Sequence, residues 1–536
     1  MDDISDISIG GFSGSSDCTN SKADEDENIW INGTNSLYAD DVYRLAHGTA
    51  KIHICPSLEG HSAALRKNLN KAVSEDRAIY GLTSGFGPLV KFATDKDDAP
   101  VVQRNLIYHL ATGVGDLLTY HEARALMIAR LNVITRLSSA VSSIAVEGLA
   151  AAINSGLAPS IPSKGTVGAS GDLTPSAHLV LCLLGEAPWI DAEGKTVSTS
   201  DAQKKFGLSP LALEGRDCLA LVNGTSCMTG LASLTLVEIQ RLVKKAIGSA
   251  AAVADLYGAR IEAYDLLLAS VRPHPGQIRA TQSLQDHLAG SKRMKPYAAR
   301  QKRTEIEGSF QDPYSIRCLP QAFGAVLDLI DAADRFISTE LNSVTDNPVI
   351  TAGDPAAVHG GNFYGQHVAF AGDMLGAACT KIALILERQI DLMCDPHRNG
   401  GQSPFLCKNT PGQHSGLMGA QVTASALLAE MRTQNSWASL QSVPTNGHNQ
   451  DINTMGTTAV RLARRNMKDL SRILAIHAIT TAEYFESVAP GDDDAPSRKT
   501  ADWYEKVRKS VAALDEDRPL SGDIEKLALQ LRDFAS

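Results

Sequence analysis

Six stretches of this chain, residues 119–154, 228–268, 318–340, 366–393, 416–435 and 455–485, are rich in Ala and Leu. Their apolar residues recur at three- and four-residue spacing, the period of an amphipathic helix. None carries Pro beyond its first turn, so each can run as one helix. Several exceed the usual helix length, and their apolar residues occupy more than one face. This pattern predicts a mainly α-helical fold with a long central bundle that also packs against other copies of the chain. The N-terminal part is more mixed. Residues 29–57 alternate short apolar runs with turns, as in a small strand–helix–strand unit, and 62–77 read as a helix. The expected division is an acidic tail at 1–30, an N-terminal domain at 31–215, the helical bundle at 216–489, and a linker with a terminal helix at 490–536.

Between two of the helical stretches lies Gly165-Thr-Val-Gly-Ala-Ser-Gly-Asp-Leu-Thr174. Its three consecutive small residues, Ala169, Ser170 and Gly171, let the backbone fold back on itself. The amide nitrogen of Gly171 can then attack the carbonyl carbon of Ala169. Gly suits this step because it has no Cβ and tolerates strained dihedrals. Loss of two waters, one carrying the Ser170 hydroxyl, leaves a five-membered ring with an exocyclic methylidene. Such a ring is an electrophile that no unmodified side chain provides. Ala-Ser-Gly by itself is an ordinary turn; the longer string carries the signal.

That string resembles the prosthetic-group loop of the aromatic amino acid ammonia-lyase and aminomutase family, nearest its bacterial tyrosine-specific members. The resemblance implies a 4-methylideneimidazole-5-one group (MIO) built autocatalytically from Ala169, Ser170 and Gly171, with no metal or external cofactor. Other motifs follow in family order from about residue 40 to the end. Tyr80-Gly-Leu-Thr-Ser-Gly-Phe-Gly87 matches the loop whose Tyr is the base for the substrate's β-proton. That role requires a depressed phenol pKa, which dipoles and cations could supply. A substrate carboxylate is best held by a planar, bidentate guanidinium. Arg317, in Gln311-Asp-Pro-Tyr-Ser-Ile-Arg317, matches that position. Gln311 belongs to the same motif, and Tyr314 matches the second active-site Tyr. Asn223, in Leu221-Val-Asn-Gly-Thr-Ser226, matches the Asn that bonds the ring carbonyl and substrate. Asn347 before Pro348, Phe363 in Gly360-Gly-Asn-Phe-Tyr-Gly-Gln366, and Asn449 with Gln450 in Asn446-Gly-His-Asn-Gln-Asp451 complete the implied site.

Substrate choice is expected at Tyr108-His109-Leu110. In the family a His-Leu pair here accompanies tyrosine and a Phe-Leu pair accompanies phenylalanine. His109 can hydrogen-bond a para-hydroxyl, and a polar group left unpaired by phenylalanine penalises that substrate. The implied activity is deamination of L-tyrosine to trans-p-coumarate and ammonia, with L-phenylalanine or L-DOPA as further substrates. The alternatives are a tyrosine 2,3-aminomutase with the same group, or a phenylalanine or histidine ammonia-lyase. The resemblance also implies a fold like the fumarase and aspartase superfamily, and a homotetramer whose active sites combine segments of several subunits.

Composition narrows the remaining classes. The chain has 536 residues, 43% hydrophobic and 21% charged, with a net charge of −10. That charge disfavours nucleic-acid or anionic-membrane partners. The basic run Lys292, Arg293, Lys295, Arg300, Lys302 and Arg303 reads as a solvated loop. Nine Cys are scattered without metal-ligand spacing, and free thiols are expected. With an acidic N-terminus lacking an apolar leader and no uninterrupted apolar span, the expected location is cytoplasmic.

Overall fold

A computed structural model describes residues 27–95, 98–136, 138–296 and 311–533. Most of the acidic tail, and Arg300, Lys302 and Arg303, lie outside the described residues. The architecture is mainly α-helical, as the sequence predicts, with 18 α-helices and nine short strands among the described residues.

Two compact units divide the chain. One comprises residues 1–237, 334–373 and 437–461; the other comprises 238–333, 374–436 and 462–536. The first holds every described strand. It opens with strands Asn28–Ile31 and Lys51–Ile54, paired in parallel around the helix Ala39–Ala46. This is the strand–helix–strand unit expected over 29–57. Helix Ser57–Ser74 follows, and then the Tyr80–Gly87 loop.

The stretch 119–154 is two helices rather than one, Tyr120–Ile134 and Ser143–Asn154. The break has a local cause. The Ser142 hydroxyl caps the second helix by accepting from Ala145 N at 3.1 Å. Its own N–H and O–H are held by the Asp217 carboxylate at 2.8 and 2.6 Å. A cap of this type starts a new helix and competes with continuing the old one. The first helix packs closely on the long helix Ser226–Tyr257. A Cβ added at Gly230 would lie 2.5 Å from the Ala125 carbonyl oxygen. The long helix ends at Gly258 (φ +69°), earlier than the periodicity to 268 suggests. A 3-10 turn at Ile261–Tyr264 and a short helix at Leu266–Ser270 take over.

The second unit has helices, turns and isolated bridges but no strand among its described residues. Helices Ser226–Tyr257, Gln366–Cys394 and Gly456–Val488 meet in it through fully buried Ser249, Gln389 and His477. Gln366–Cys394 is long and apolar enough by composition to cross a membrane, but 67% of its most apolar window is buried in the protein. The segment after Val488 is not a free linker. Lys292 donates to Asp492 O at 2.7 Å, Arg293 pairs with Asp494, and Lys292 N bonds Ala495 O at 2.9 Å. Seven cysteines among the described residues are free thiols. Cys55 is disulfide-bonded, which departs from the expectation that all nine are free.

Candidate active site

The loop carrying Ala169, Ser170 and Gly171 is fixed from several sides within the first unit. Asp172 N donates to Gly224 O at 2.8 Å, and Gly224 N reaches Ser170 O at 3.4 Å, so the two segments pair in parallel across Gly171 and Gly224. Met455 N bonds Val167 O at 2.9 Å, and the Thr454 hydroxyl bonds Gly168 O at 3.1 Å. Three helix N-termini converge here: Leu173–Leu183, Ser226–Tyr257 and Gly456–Val488. Their partial positive ends favour electron density drawn away from the loop.

Gly171 has φ +71°, and a Cβ there would lie 2.1 Å from Gly224 O. Both its dihedral and its surroundings demand glycine. Asp172, just beyond, is fully buried. Its carboxylate accepts from Met228 N at 2.7 Å and from the Thr457 hydroxyl. Burial lifts its pKa to about 6, against the pull of those donors and of Arg130.

One cavity of about 770 Å³ adjoins this loop, large enough for an aromatic amino acid. Ten of the expected site residues line it: Tyr80, His109, Leu110, Ala169, Ser170, Asn223, Asn347, Phe363, Asn449 and Gln450. Gly171, the next residue in the loop, is not among the lining residues. The Ser170 hydroxyl accepts from Gln450 Nε2 at 3.3 Å. Gln450 is held in turn by the Thr445 hydroxyl at 2.7 Å.

Tyr80 is anchored at both ends. Its N–H donates to His359 Nε2 at 3.1 Å, and its phenol oxygen accepts from Gly87 N at 3.0 Å. The loop is clamped further by buried Gln103, whose amide donates to Gly81 O at 2.8 Å and accepts from Leu219 N at 3.1 Å. Burial raises the Tyr80 pKa, and the Gly87 N–H opposes this only in part. The expected depression is therefore not produced by this cavity, whose lining among the described residues includes no Lys or Arg.

His109 sits at the end of helix Ala99–Leu110. Its Nδ1 is 3.0 Å from Asn105 O. A carbonyl only accepts, so Nδ1 carries the hydrogen, and in the neutral ring Nε2 keeps a lone pair. That lone pair can accept from a phenol. Leu106, Leu110, Leu173 and Leu219 supply apolar wall.

Asn223 and Asn347 share a buried support. Asn223 Nδ2 donates to Asn347 O at 2.8 Å and to Asp346 Oδ1 at 3.3 Å. Arg216 pairs bidentately with Asp346, at 2.7 and 3.1 Å, and both side chains are buried. Arg130 donates to Asn223 O at 2.6 Å. Asn347 Oδ1 accepts from Gly360 N at 2.8 Å.

Gln311, Tyr314 and Arg317 are not in the cavity wall; they belong to the second unit. Tyr314–Arg317 forms a single helical turn, and the guanidinium lies 4.6 Å from the centre of the Tyr314 ring. Tyr314 is 72% exposed, and the buried Arg317 Nε has no hydrogen-bond partner among the described residues.

Sequence reading did not single out Gln103, Arg130, Asp172, Arg216, Asp346 or Tyr364. Asp172, Asp346 and Tyr364 each adjoin a residue it did single out. Arg130 is a charged residue inside an apolar helical run, a signal that was available. Gln103 and Arg216 carry no local mark.

A helical fold whose helix ends surround an Ala-Ser-Gly loop beside a Tyr-bearing cavity defines a carbon–nitrogen lyase. The chain belongs to the aromatic amino acid lyase family, whose profile matches residues 37–509. It is 41% identical over 500 residues to the tyrosine ammonia-lyase of Cereibacter sphaeroides, covering 92% of this chain and 95% of that protein. It is 35% identical to the MIO-dependent tyrosine 2,3-aminomutase of Streptomyces globisporus, covering 92% and 93%. The solved structure of tyrosine aminomutase from Streptomyces globisporus superposes with a TM-score of 0.89, at 34% identity and over 94% and 97% of the two chains.

Proposed function

We propose that this protein is a tyrosine ammonia-lyase that converts L-tyrosine to trans-p-coumarate and ammonia, acting in the cytoplasm as a homotetramer. The observation that carries the reading is the joint presence of Ser170, Tyr80, Asn223 and the His109–Leu110 pair in one cavity of about 770 Å³.

The loop fits a chain-derived MIO group. Gly171 already has the positive φ and the side-chain-free contact with Gly224 that a tight backward turn requires. Such a group supplies an electrophile that turns the amine into a leaving group. The chain's own residues do the rest. His109 Nε2 accepts the substrate's para-hydroxyl, while Leu110 packs its ring. Tyr80 Oη takes the β-proton. Asn223, whose NH₂ is held by Asp346 and Asn347, keeps its Oδ1 as an acceptor for the substrate's amine. Phe363 walls the site beside the loop, and Gln450 orients Ser170 before the ring closes.

Arg317 and Tyr314 receive the carboxylate and the amine side, contributed by a neighbouring subunit. The exposure of Tyr314 and the unpartnered Arg317 Nε support this arrangement. A neighbouring guanidinium also lowers a phenol pKa, the opposite of the upward push that burial gives Tyr80 in the single chain.

The likeness to an aminomutase of TM-score 0.89 supports a second reading, in which ammonia is returned at Cβ. Incubation with L-tyrosine, L-phenylalanine and L-histidine, followed by product analysis, separates the two. A lyase accumulates p-coumarate and ammonia in equal amounts. Accumulation of β-tyrosine shows the aminomutase, and turnover of histidine alone refutes both.

A further inference from the structure

The Tyr314–Arg317 turn has only four residues. One turn of helix has no stability of its own, and its terminal carbonyls lack partners within it. Two of those carbonyls are paired by buried side chains from elsewhere in the second unit. Ser315 O accepts from Gln389 Nε2 at 2.9 Å. Ile316 O accepts from the Tyr264 hydroxyl at 2.8 Å. Gln389 and Tyr264 are both buried.

The orientation of Gln389 is determined by its partners. Ser315 O can only accept, so the NH₂ of Gln389 faces it. The other amide atom, Oε1, then faces His477 Nε2 at 2.8 Å. An amide oxygen also only accepts, so Nε2 of His477 bears the hydrogen. Its Nδ1 keeps the lone pair and accepts from the Ser249 hydroxyl at 2.8 Å. The chain of donors runs Ser249, His477, Gln389, Ser315, with every direction fixed.

We propose that His477, Gln389 and Tyr264 are positioning residues for the carboxylate clamp: they fix the backbone of the turn from which Tyr314 and Arg317 project, and so set the reach of the Arg317 guanidinium to the substrate carboxylate. This rests on the assignment of Arg317 to the carboxylate in the proposed function. The chain of bonds does not touch the cavity that reads the aromatic ring. Its loss therefore weakens ligands that carry a carboxylate and spares those that do not.

The test uses the assembled enzyme with Gln389→Met, Tyr264→Phe and, as a control, Arg317→Met. Inhibition constants are measured for p-coumarate, which has the carboxylate, and p-cresol, which has only the phenol ring. KM and kcat for L-tyrosine accompany them. Gln389→Met is expected to weaken p-coumarate and raise KM by about tenfold, with p-cresol changed by less than about twofold. Tyr264→Phe removes one neutral bond and a smaller loss of about threefold is expected, again confined to p-coumarate. Tyr264→Phe alone decides the matter if Gln389→Met fails to assemble. Equal weakening of both inhibitors, or no change in either, overturns the proposal. If Arg317→Met itself leaves p-coumarate binding intact, the clamp assignment fails and the positioning role falls with it. If Arg317→Met abolishes the carboxylate preference while the other variants keep it, only the positioning role is refuted.

Discussion

Gly224→Ala tests whether the backbone pairing behind Ser170 supports the chemistry. Gly224 is outside the Ala-Ser-Gly tripeptide, so the substitution leaves every ring-forming atom in place. Its φ is +122°, a region L residues rarely adopt, and an added Cβ would lie 2.5 Å from Thr345 Oγ1 and 2.8 Å from Thr345 O. The second of these is backbone and cannot rotate away. Holding the strained dihedral costs about 1–3 kcal/mol. Relieving it by moving the segment sacrifices the bonds from Asp172 N and to Ser170 O, at about 1 kcal/mol each. Either route costs about 2–4 kcal/mol in all once the steric contact is included. Gly194→Ala is the matched control, since Gly194 has φ +78° but nothing within 4 Å of an added Cβ. It should cost only about 1 kcal/mol and leave turnover normal. Denaturant midpoints at fixed protein concentration and kcat for L-tyrosine are the readouts. Gly224→Ala should lower kcat by more than about tenfold, through misplacement of the loop. If the two variants behave alike, the pairing of Gly171 with Gly224 does not hold the loop.

Three further outcomes are expected. Ser170→Ala cannot lose the hydroxyl needed for the ring, so it should assemble normally yet lose nearly all activity; wild-type turnover would refute the loop chemistry. His109→Phe removes the acceptor for the para-hydroxyl, so kcat/KM for tyrosine over phenylalanine should fall by at least about tenfold, and an unchanged ratio would show that His109 does not read the ring. Burial pulls the His477 pKa down to about 3, below its unfolded value, so its contribution is complete above about pH 6.5 and is lost as pH falls towards 3. At pH 5 the loss is about 2 kcal/mol. Asp172, raised to about 6, acts oppositely in the same window, so the comparison is between wild type and His477→Gln. The variant's stability should fall less between pH 7 and pH 5, and parallel curves would refute the buried neutral imidazole.

Much of the fold is legible in the sequence because long helices are specified locally. Four of the six predicted stretches match helices to within three residues at each end, including 366–393 against Gln366–Cys394. The other two fail where a local competitor interrupts a continuing apolar pattern, Ser142 in one case and Gly258 in the other. The cavity wall is legible because each contribution is a short motif, such as His109–Leu110 or Asn446–Asp451. Its support is not. Gln103 clamps Gly81 to Leu219, and Arg216 reaches Asp346 across 130 positions of sequence. Only the folded chain brings such partners together. That the cavity lining leaves out Tyr314 and Arg317 is likewise not legible in sequence, because a motif does not say which wall it belongs to.

The central claim is that Ala169, Ser170 and Gly171 become the electrophile that removes ammonia from tyrosine. The most direct test is the mass of the tryptic peptide Gly165–Lys195, taken from a preparation whose conversion of L-tyrosine to p-coumarate has just been measured. The expected peptide is lighter than its sequence by two waters, with the deficit lying between Ala169 and Gly171 on fragmentation. An unmodified peptide from fully active enzyme would contradict the claim.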